Sequence, residues 1–194
     1  MTRKLILASN NPGKLKEFGE LLVPIGFEIH AQSEFNVPEA EEPHITFVEN
    51  ALAKARHAAR LTGHAALADD SGVCASALQG APGVFSARYA GEPKSDARNN
   101  QKLVQDLAVH TDKSAHYYCV LVFVRHADDP QPLIAEGRWH GEIIATPRGQ
   151  GGFGYDPYFW LASLEKTAAE LSPEEKNSLS HRGQALRALV EKLR

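Results

Sequence analysis

Short apolar runs alternate with segments of helical periodicity over the first third of the chain, and no other feature constrains the fold as strongly. Leu5–Ala8 and Ala65–Ala68 are short and apolar, as buried strands are, and Phe27–Ala31 alternates apolar and polar residues, as a strand with one buried face does. Between them, Leu15–Leu22 and the alanine-rich Asn50–Leu61 carry apolar residues at helical spacing. This strand and helix order is typical of an open α/β sheet, so we predict an α/β fold.

Capping signals mark two further helix boundaries. Thr46 with Glu49 forms a capping-box pattern, and Gly63 ends the segment that follows. Ser172, a proline at the next position and Glu175 predict the start of a C-terminal helix. The apolar face of the last helix is predicted to comprise Ala185, Leu186, Leu189, Val190 and Leu193.

The middle of the chain predicts one helix and one hairpin. Ser95–Leu107 has a helical pattern, whereas His116–Arg125 and Leu133–Trp139 are β-rich segments joined by a short connection. No repeat, low-complexity tract or linker interrupts the sequence, so we predict a single domain over residues 1–194.

Composition excludes several classes of function. The chain has 194 residues, 43% of them hydrophobic, and 21 Lys+Arg against 24 Asp+Glu, which is not the basic excess of a general nucleic-acid binder. The longest apolar run, Cys119–Val124, is far shorter than the roughly 18 residues of a membrane span. Arg3-Lys4 precede too short an apolar stretch for a signal peptide, so we expect a cytoplasmic location. Cys74 and Cys119 are predicted to be buried thiols.

The loop Ser9-Asn10-Asn11-Pro12-Gly13-Lys14 lies between a predicted strand and a predicted helix. Backbone N–H groups at a helix start can receive a phosphate, and Lys14 would add a positive charge. A Walker A loop would need glycine at Ala8 and Ser or Thr at Leu15, so a P-loop NTPase is disfavoured. The alternative is an ordinary turn whose asparagines cap the helix.

Asp69 and Asp70 are expected at the C-terminal end of the buried strand, where α/β sheets place ligand chemistry. Adjacent carboxylates among apolar residues need compensation, and Mg²⁺ is a natural partner for such hard oxygen ligands. Glu39, Glu41 or Glu42 from an acidic loop would supply a further ligand. The alternative is that the aspartates cap a turn and the glutamates are solvated.

Two later segments have the composition of a nucleoside site. The glycine-rich Gly149–Pro157 combines a backbone that can approach a ligand closely with aromatic side chains that can stack on a base. Lys176, Ser180, His181 and Arg182 gather hydrogen-bond donors nearby in sequence. A flexible hairpin with core aromatics and a solvated basic face are the alternatives.

Taken together and in order, these motifs closely resemble those of the non-canonical purine nucleoside triphosphate pyrophosphatases, the Ham1/RdgB-type inosine triphosphatase family. The resemblance covers nearly the whole chain. The matching segments are Ser9–Lys14, Phe47–Ala51 with Lys54-Ala55, Ala68–Gly72, Gly80–Gly83 with Ser86–Tyr89, Gly151–Pro157 and Ser180–Gly183.

The resemblance implies a two-lobed α/β fold with an elongated mixed central sheet flanked by helices, an active-site cleft between the lobes and a homodimer. It also implies Mg²⁺-dependent release of pyrophosphate from dITP, ITP and XTP, which would cleanse the nucleotide pool. Asp70 would be the general base and a metal ligand, with Glu41 as the second metal carboxylate and Glu39 or Glu42 as alternatives. Substrate-binding positions would be Ser9, Asn10, Asn11, Pro12, Gly13, Lys14, Lys54, Ser71, Phe153, Gly154, Tyr155, Asp156, Lys176, His181 and Arg182.

Three other functions are alternatives to this one. A Maf-like pyrophosphatase acting on other nucleotides would share a related fold, but the Phe153–Pro157 and Ser180–Gly183 segments argue against it. A nucleotide-sensing module would bind through the Lys14 loop without hydrolysis, which the motif around Asp70 disfavours. Single-stranded nucleic-acid binding has little support, because the charges are balanced and the aromatics scattered.

Overall fold

A mixed seven-stranded sheet organises the part of the chain that the structure, a computed structural model, describes: residues 3–194. The strand order is β2-β1-β3-β4-β5-β6-β7. The strands are β1 (Arg3–Leu7), β2 (Phe27–Ala31), β3 (Ala65–Ala75), β4 (Ser114–Val124), β5 (Leu133–Ile143), β6 (Phe159–Leu161) and β7 (Lys166–Thr167). The helices are α1 (Pro12–Leu22), α2 (Phe47–Thr62), α3 (Asp96–Ala108), α4 (Pro173–Leu179) and α5 (His181–Leu193).

Parallel and antiparallel pairings divide the sheet. β1 pairs in parallel with both neighbours, with Leu5 opposite Ile29 on β2 and opposite Ala65 on β3. β6 pairs antiparallel with β5 and with β7. The predicted α/β class and mixed sheet are therefore confirmed, and β4 and β5 are neighbours, as the predicted hairpin requires.

Helix boundaries follow the capping residues. Thr46 Oγ1 accepts a hydrogen bond from Glu49 N at the start of α2, and Gly63 ends that helix in the left-handed conformation. Ser172 and Glu175 form a capping box at the start of α4, as predicted. The C-terminal segment is nevertheless two helices, because Ser180 adopts an extended backbone between α4 and α5.

The acidic pair lies inside a strand, so its predicted place at a strand end was wrong. β3 continues past Asp69 and Asp70 to Ala75. Gly72 makes this continuation possible, because a Cβ there would overlap the carbonyl oxygen of Gly83 and the hydroxyl of Ser86. Strands β6 and β7 were not predicted at all, since three and two residues carry too little pattern to recognise.

The chain divides into two compact units, each with its own core. Unit 1 comprises the residues up to Asp70 with Cys119–Gly137 and Arg182–Arg194, and unit 2 comprises Ser71–Tyr118 and Arg138–His181. The core of unit 1 is built from β-strand side chains and the apolar faces of α1 and α5, including Phe18, Leu22, Phe27, Leu121, Leu186 and Leu189. The core of unit 2 includes Val73, Leu103, Leu107, Trp139, Phe159 and Leu161. The cleft expected between two lobes stays a prediction.

Both cysteines are buried thiols, as the sequence predicted. Burial raises the pKa of Cys74 to about 11, so this thiol is protonated and unreactive at neutral pH. None of the helices within residues 3–194 is both long and apolar enough to span a bilayer.

Candidate active site

Asp69 is a buried carboxylate that holds two cations in unit 1. Its Oδ1 lies 2.8 Å from Lys14 Nζ, and its Oδ2 lies 3.5 Å from the Arg182 guanidinium. Arg182 is itself buried and also lies 3.5 Å from Glu17. Burial alone would raise the pKa of Asp69, but Lys14 and Arg182 hold that pKa well below its usual range. Asp69 is therefore an ionised anchor that fixes the Lys14 ammonium.

Asp70 has a different environment from its neighbour. Lys54 Nζ lies 3.2 Å from Asp70 Oδ1, and the Asn50 amide donates a hydrogen bond of 3.4 Å to Oδ2. Burial raises the pKa of Asp70, and the nearby Glu42 adds to this, while Lys54 opposes it. The two adjacent aspartates thus have pKa values displaced in opposite directions, which is a pattern found where one carboxyl must exchange a proton.

The side chains around Asp70 come from helix α2 and the acidic loop before it. Asn50 and Lys54 are four residues apart, so both project from one face of α2. Asn50 is braced because its Oδ1 accepts from His44 N and its Nδ2 also donates to His44 O. Lys54 Nζ also contacts Glu42 Oε1 at 2.5 Å. Burial opposes the charge on Lys54, but Asp70, Asp69 and Glu42 together raise its pKa, so the ammonium stays protonated.

Side chains of the loop that carries Lys14 accept hydrogen bonds from backbone N–H groups. Asn11 caps α1, with its Oδ1 accepting from Gly13 N and Lys14 N. Ser9 Oγ accepts from Asn11 N, and Asn10 Oδ1 accepts from Ser33 N. The alternative role of the asparagines as helix caps is thus present for Asn11. A phosphate bound at this loop would accept hydrogen bonds from the same backbone N–H groups, beside or in place of the side-chain oxygens, and would contact the Lys14 ammonium.

Of the acidic-loop carboxylates, Glu42 is the one that the structure places beside Lys54 and within electrostatic reach of Asp70. Glu41 is exposed. Within residues 3–194, no group of three or more His, Cys, Asp or Glu side chains is arranged to hold a metal ion. Ser71 follows Asp70 in β3 and is half-buried.

A second polar cluster, in unit 2, is centred on the buried carboxylate of Asp156. Its Oδ2 accepts from Phe153 N at 2.8 Å and lies 2.5 Å from Lys176 Nζ. Its Oδ1 accepts from the Tyr117 hydroxyl at 3.1 Å. Gly152 has φ +73°, and a Cβ there would overlap Asp156 Oδ2. The glycine-rich segment is thus shaped around this carboxylate.

The aromatic residues of this segment differ in their exposure. The Phe153 ring is 61% exposed, with Lys176 Nζ 4.6 Å from its centroid. Tyr155 is buried, and its hydroxyl donates to Ser86 O at 2.7 Å. Gly154 is tied to α3, because its N donates to Asp96 Oδ2 and its O accepts from Asn100 Nδ2. Phe153 is therefore the aromatic face that a ligand could reach.

His181 stacks on Tyr117, with ring centroids 4.7 Å apart and planes 7° from parallel. Sequence reasoning did not include Tyr117 or Asn50 as site residues, and it considered Asp69 only as one of a pair of carboxylates suited to Mg²⁺. The four-residue spacing of Asn50 and Lys54 was a usable signal on a predicted helix. Tyr117 carried none, since an aromatic residue in a strand is most simply interpreted as core.

Fold and site together define an α/β protein with a mixed seven-stranded sheet and charged clusters suited to an anionic ligand. The model of the Ham1 family matches residues 5–192, and the chain belongs to that family. A protein of Ralstonia nicotianae named dITP/XTP pyrophosphatase is 69% identical, covering 99% of this chain and 97% of its own. One of Nitrosomonas europaea with the same name is 65% identical, covering 98% and 94%.

Solved structures agree with this assignment. The structure of a HAM1 protein from Coxiella burnetii superposes with a TM-score of 0.96 at 52% identity, covering 99% of this chain and 98% of the other. The Staphylococcus aureus Ham1 protein gives 0.91 at 39% identity, covering 98% of each chain.

Proposed function

We propose that this protein hydrolyses the non-canonical purine nucleoside triphosphates dITP, ITP and XTP to the monophosphate and pyrophosphate. Family membership and the shared name of its relatives support the substrate class. The observation that carries the proposal is the pair of adjacent buried aspartates: Asp69 holds Lys14, and the raised pKa of Asp70 suits it to accept a proton.

The reaction requires one bond to form and one to break. The oxygen of a water molecule bonds to the α-phosphorus, and the bond from that phosphorus to the oxygen bridging to the β-phosphorus breaks. Pyrophosphate leaves with the bridging oxygen, and Asp70 accepts the proton that the water loses. Lys14 and Lys54 offset the negative charge that develops on the departing group.

Residues at Asp70 fit a magnesium ion. The donors are hard carboxylate oxygens, and those of Asp70 and Glu42 both contact the Lys54 ammonium, at 3.2 and 2.5 Å, so they lie near one another. Asp70 would hold the ion together with one carboxylate of the acidic loop. The family resemblance implies that this second ligand is Glu41, and Glu42 is the alternative. When bound, Mg²⁺ neutralises phosphate charge and polarises the phosphoryl oxygens.

Base recognition falls to the cluster around Asp156. The exposed Phe153 ring offers a stacking surface, and the Lys176 ammonium beside it can donate to the carbonyl at C6 of hypoxanthine or xanthine. Adenine has an amino group at C6, which would leave this donor unpaired. An unpaired polar group supports discrimination of roughly two or more powers of ten.

The same proposal has consequences outside the site. Removing deaminated purine triphosphates would cleanse the nucleotide pool before polymerases use them. We further propose that the protein acts in the cytoplasm and, as the family resemblance implies, as a homodimer. Light scattering on the purified protein tests the dimer.

The activity is tested by incubating the protein with Mg²⁺ and dITP, XTP, dATP or dGTP separately, while pyrophosphate and orthophosphate are both measured. We expect pyrophosphate from dITP and XTP, and at least a hundredfold lower turnover for Asp70→Asn. Asp128→Asn is the matched control, because Asp128 is an exposed aspartate paired only with Arg60 among the contacts of the described residues. Orthophosphate would indicate attack at the terminal phosphate. No product would favour the Maf-like or sensing alternative.

A further inference from the structure

Tyr117 contacts two of the residues expected to bind the nucleoside, Asp156 and His181. It lies on β4, buried, with its ring stacked on His181 and its hydroxyl donating to Asp156 Oδ1. The ring also packs against Phe159, with centroids 4.6 Å apart. Because strand and core hold the ring on several sides, the position of its hydroxyl is fixed by the fold.

Asp156 accepts hydrogen bonds from three groups of this chain. Tyr117 occupies Oδ1, while Phe153 N and Lys176 Nζ occupy Oδ2. The carboxylate is 2% exposed. Its environment suits it to hold other groups in place better than to contact a ligand itself.

Lys176 is the group that this carboxylate positions. One of the three ammonium protons is directed to Asp156, so two are left for other acceptors. The ammonium is part-buried at 17% side-chain exposure and lies beside the exposed Phe153 ring. A base stacked near that ring would therefore meet a donor whose location depends on where Asp156 points.

We propose that Tyr117 is a positioning residue for purine selectivity: its hydroxyl orients Asp156, and Asp156 places the Lys176 ammonium for the carbonyl at C6. This inference rests on the proposed function and deepens it. Without the hydroxyl, Asp156 Oδ1 loses its donor in a buried place, and the carboxylate can rotate towards another donor. The Lys176 ammonium then moves with the carboxylate, and the site discriminates less well between a carbonyl and an amino group at C6.

The test is Tyr117→Phe, which keeps the ring that stacks on His181 and removes one hydrogen bond. We expect the ratio of kcat/KM for dITP to that for dATP to fall about threefold to tenfold, mainly through a higher KM for dITP. We expect kcat for dITP to stay within about twofold, because the bonds of Asp70 to Lys54 and Asn50 do not involve Tyr117. A merely structural role would lower the folded fraction and leave the ratio unchanged.

A closely matched control is Tyr89, whose partners Lys102 and Asp106 lie on α3. The Tyr89 hydroxyl lies 2.5 Å from Asp106, Lys102 Nζ lies 2.8 Å from the same carboxylate, and Lys102 sits over the Tyr89 ring. Tyr89→Phe therefore removes the same kind of bond from the same three residue types, with a carboxylate and an ammonium other than those of Asp156 and Lys176. We expect its selectivity ratio to equal that of the unaltered protein.

A double-mutant cycle with Lys176→Met identifies the route. If Tyr117 acts through Lys176, Tyr117→Phe should change the ratio by less than about twofold when Lys176 is already absent. An unchanged ratio in Tyr117→Phe, an equal fall in Tyr89→Phe, or independent effects in the cycle would each overturn the inference. Failure of the unaltered protein to release pyrophosphate from dITP would instead overturn the proposed function.

Discussion

Replacing Asp69 by asparagine tests whether this buried carboxylate stabilises the fold by holding cations. The change keeps the size of the side chain and removes its charge. Lys14 at 2.8 Å and Arg182 at 3.5 Å would each lose the Asp69 carboxylate as an anionic partner, and Arg182 is buried. Breaking a buried ion pair costs about 3–5 kcal/mol, because the remaining charge is left uncompensated.

The structure places the expected cost at the lower end of that range. Lys14 is 24% exposed and can turn towards water, and Arg182 keeps Glu17 at 3.5 Å. We therefore expect Asp69→Asn to lower the free energy of unfolding by about 3 kcal/mol at pH 7. With a urea m-value of about 2 kcal/mol/M, the midpoint should fall by about 1.5 M. The melting temperature should fall by about 6–12 °C.

Urea unfolding followed by circular dichroism measures this shift, with Asp128→Asn as control. Asp128 is 89% exposed in its pair with Arg60, so its replacement should change stability by less than about 1 kcal/mol. A loss below about 1 kcal/mol for Asp69→Asn would refute the reasoning. The reasoning would also be refuted if Asp69→Asn lowered the free energy of unfolding equally with and without Lys14→Met. Residues that interact must deviate from additivity.

Two further predictions concern substitutions in loops. Hydrogen bonds from Arg125 hold the pKa of the buried Asp129 well below its usual range. The ionised Asp129 therefore stabilises the folded state fully above the unfolded pKa of about 3.9. This contribution is lost as the pH falls through the lower pKa of the folded state. Asp129→Asn should therefore lower the urea midpoint at pH 7 and have a smaller effect at pH 3, and an equal effect at both would contradict the linkage. Gly152→Ala should lower both the melting temperature and the selectivity for dITP, because the added methyl group displaces Asp156. Gly80→Ala is the control: Gly80 also has a positive φ, +90°, but a methyl group there meets no other atom. This substitution should therefore lower the melting temperature alone. Calorimetry and the dITP to dATP ratio of kcat/KM distinguish these outcomes.

Local sequence signals identified most of the elements. Thr46, Ser95 and Ser172 each begin a helix through a side-chain cap, and these bonds form between residues three positions apart. The signals failed where the structure depends on distant neighbours. Nothing near Asp69 in sequence shows that β3 continues to Ala75, because the continuation depends on Gly72 meeting Gly83 and Ser86.

The candidate site divides in the same way. The charged and glycine-rich motifs around Lys14, Asp70 and Phe153 could be recognised in order along the chain, together with the family that they resemble. Their partners could not be recognised. Asp69 to Lys14 and Asp156 to Tyr117 span 55 and 39 positions in sequence, so neither pair leaves a local pattern.

The sequence by itself determined the α/β class, the caps, the buried thiols and the residue types available for phosphate and base chemistry. These follow from periodicity, composition and short-range hydrogen bonds, which act within one turn of helix or one strand. The tertiary structure alone decided which of the two aspartates is held by Lys14 and which is left with a raised pKa. Burial and the distances between charges determine a pKa, and both exist only when remote parts of the chain have packed together.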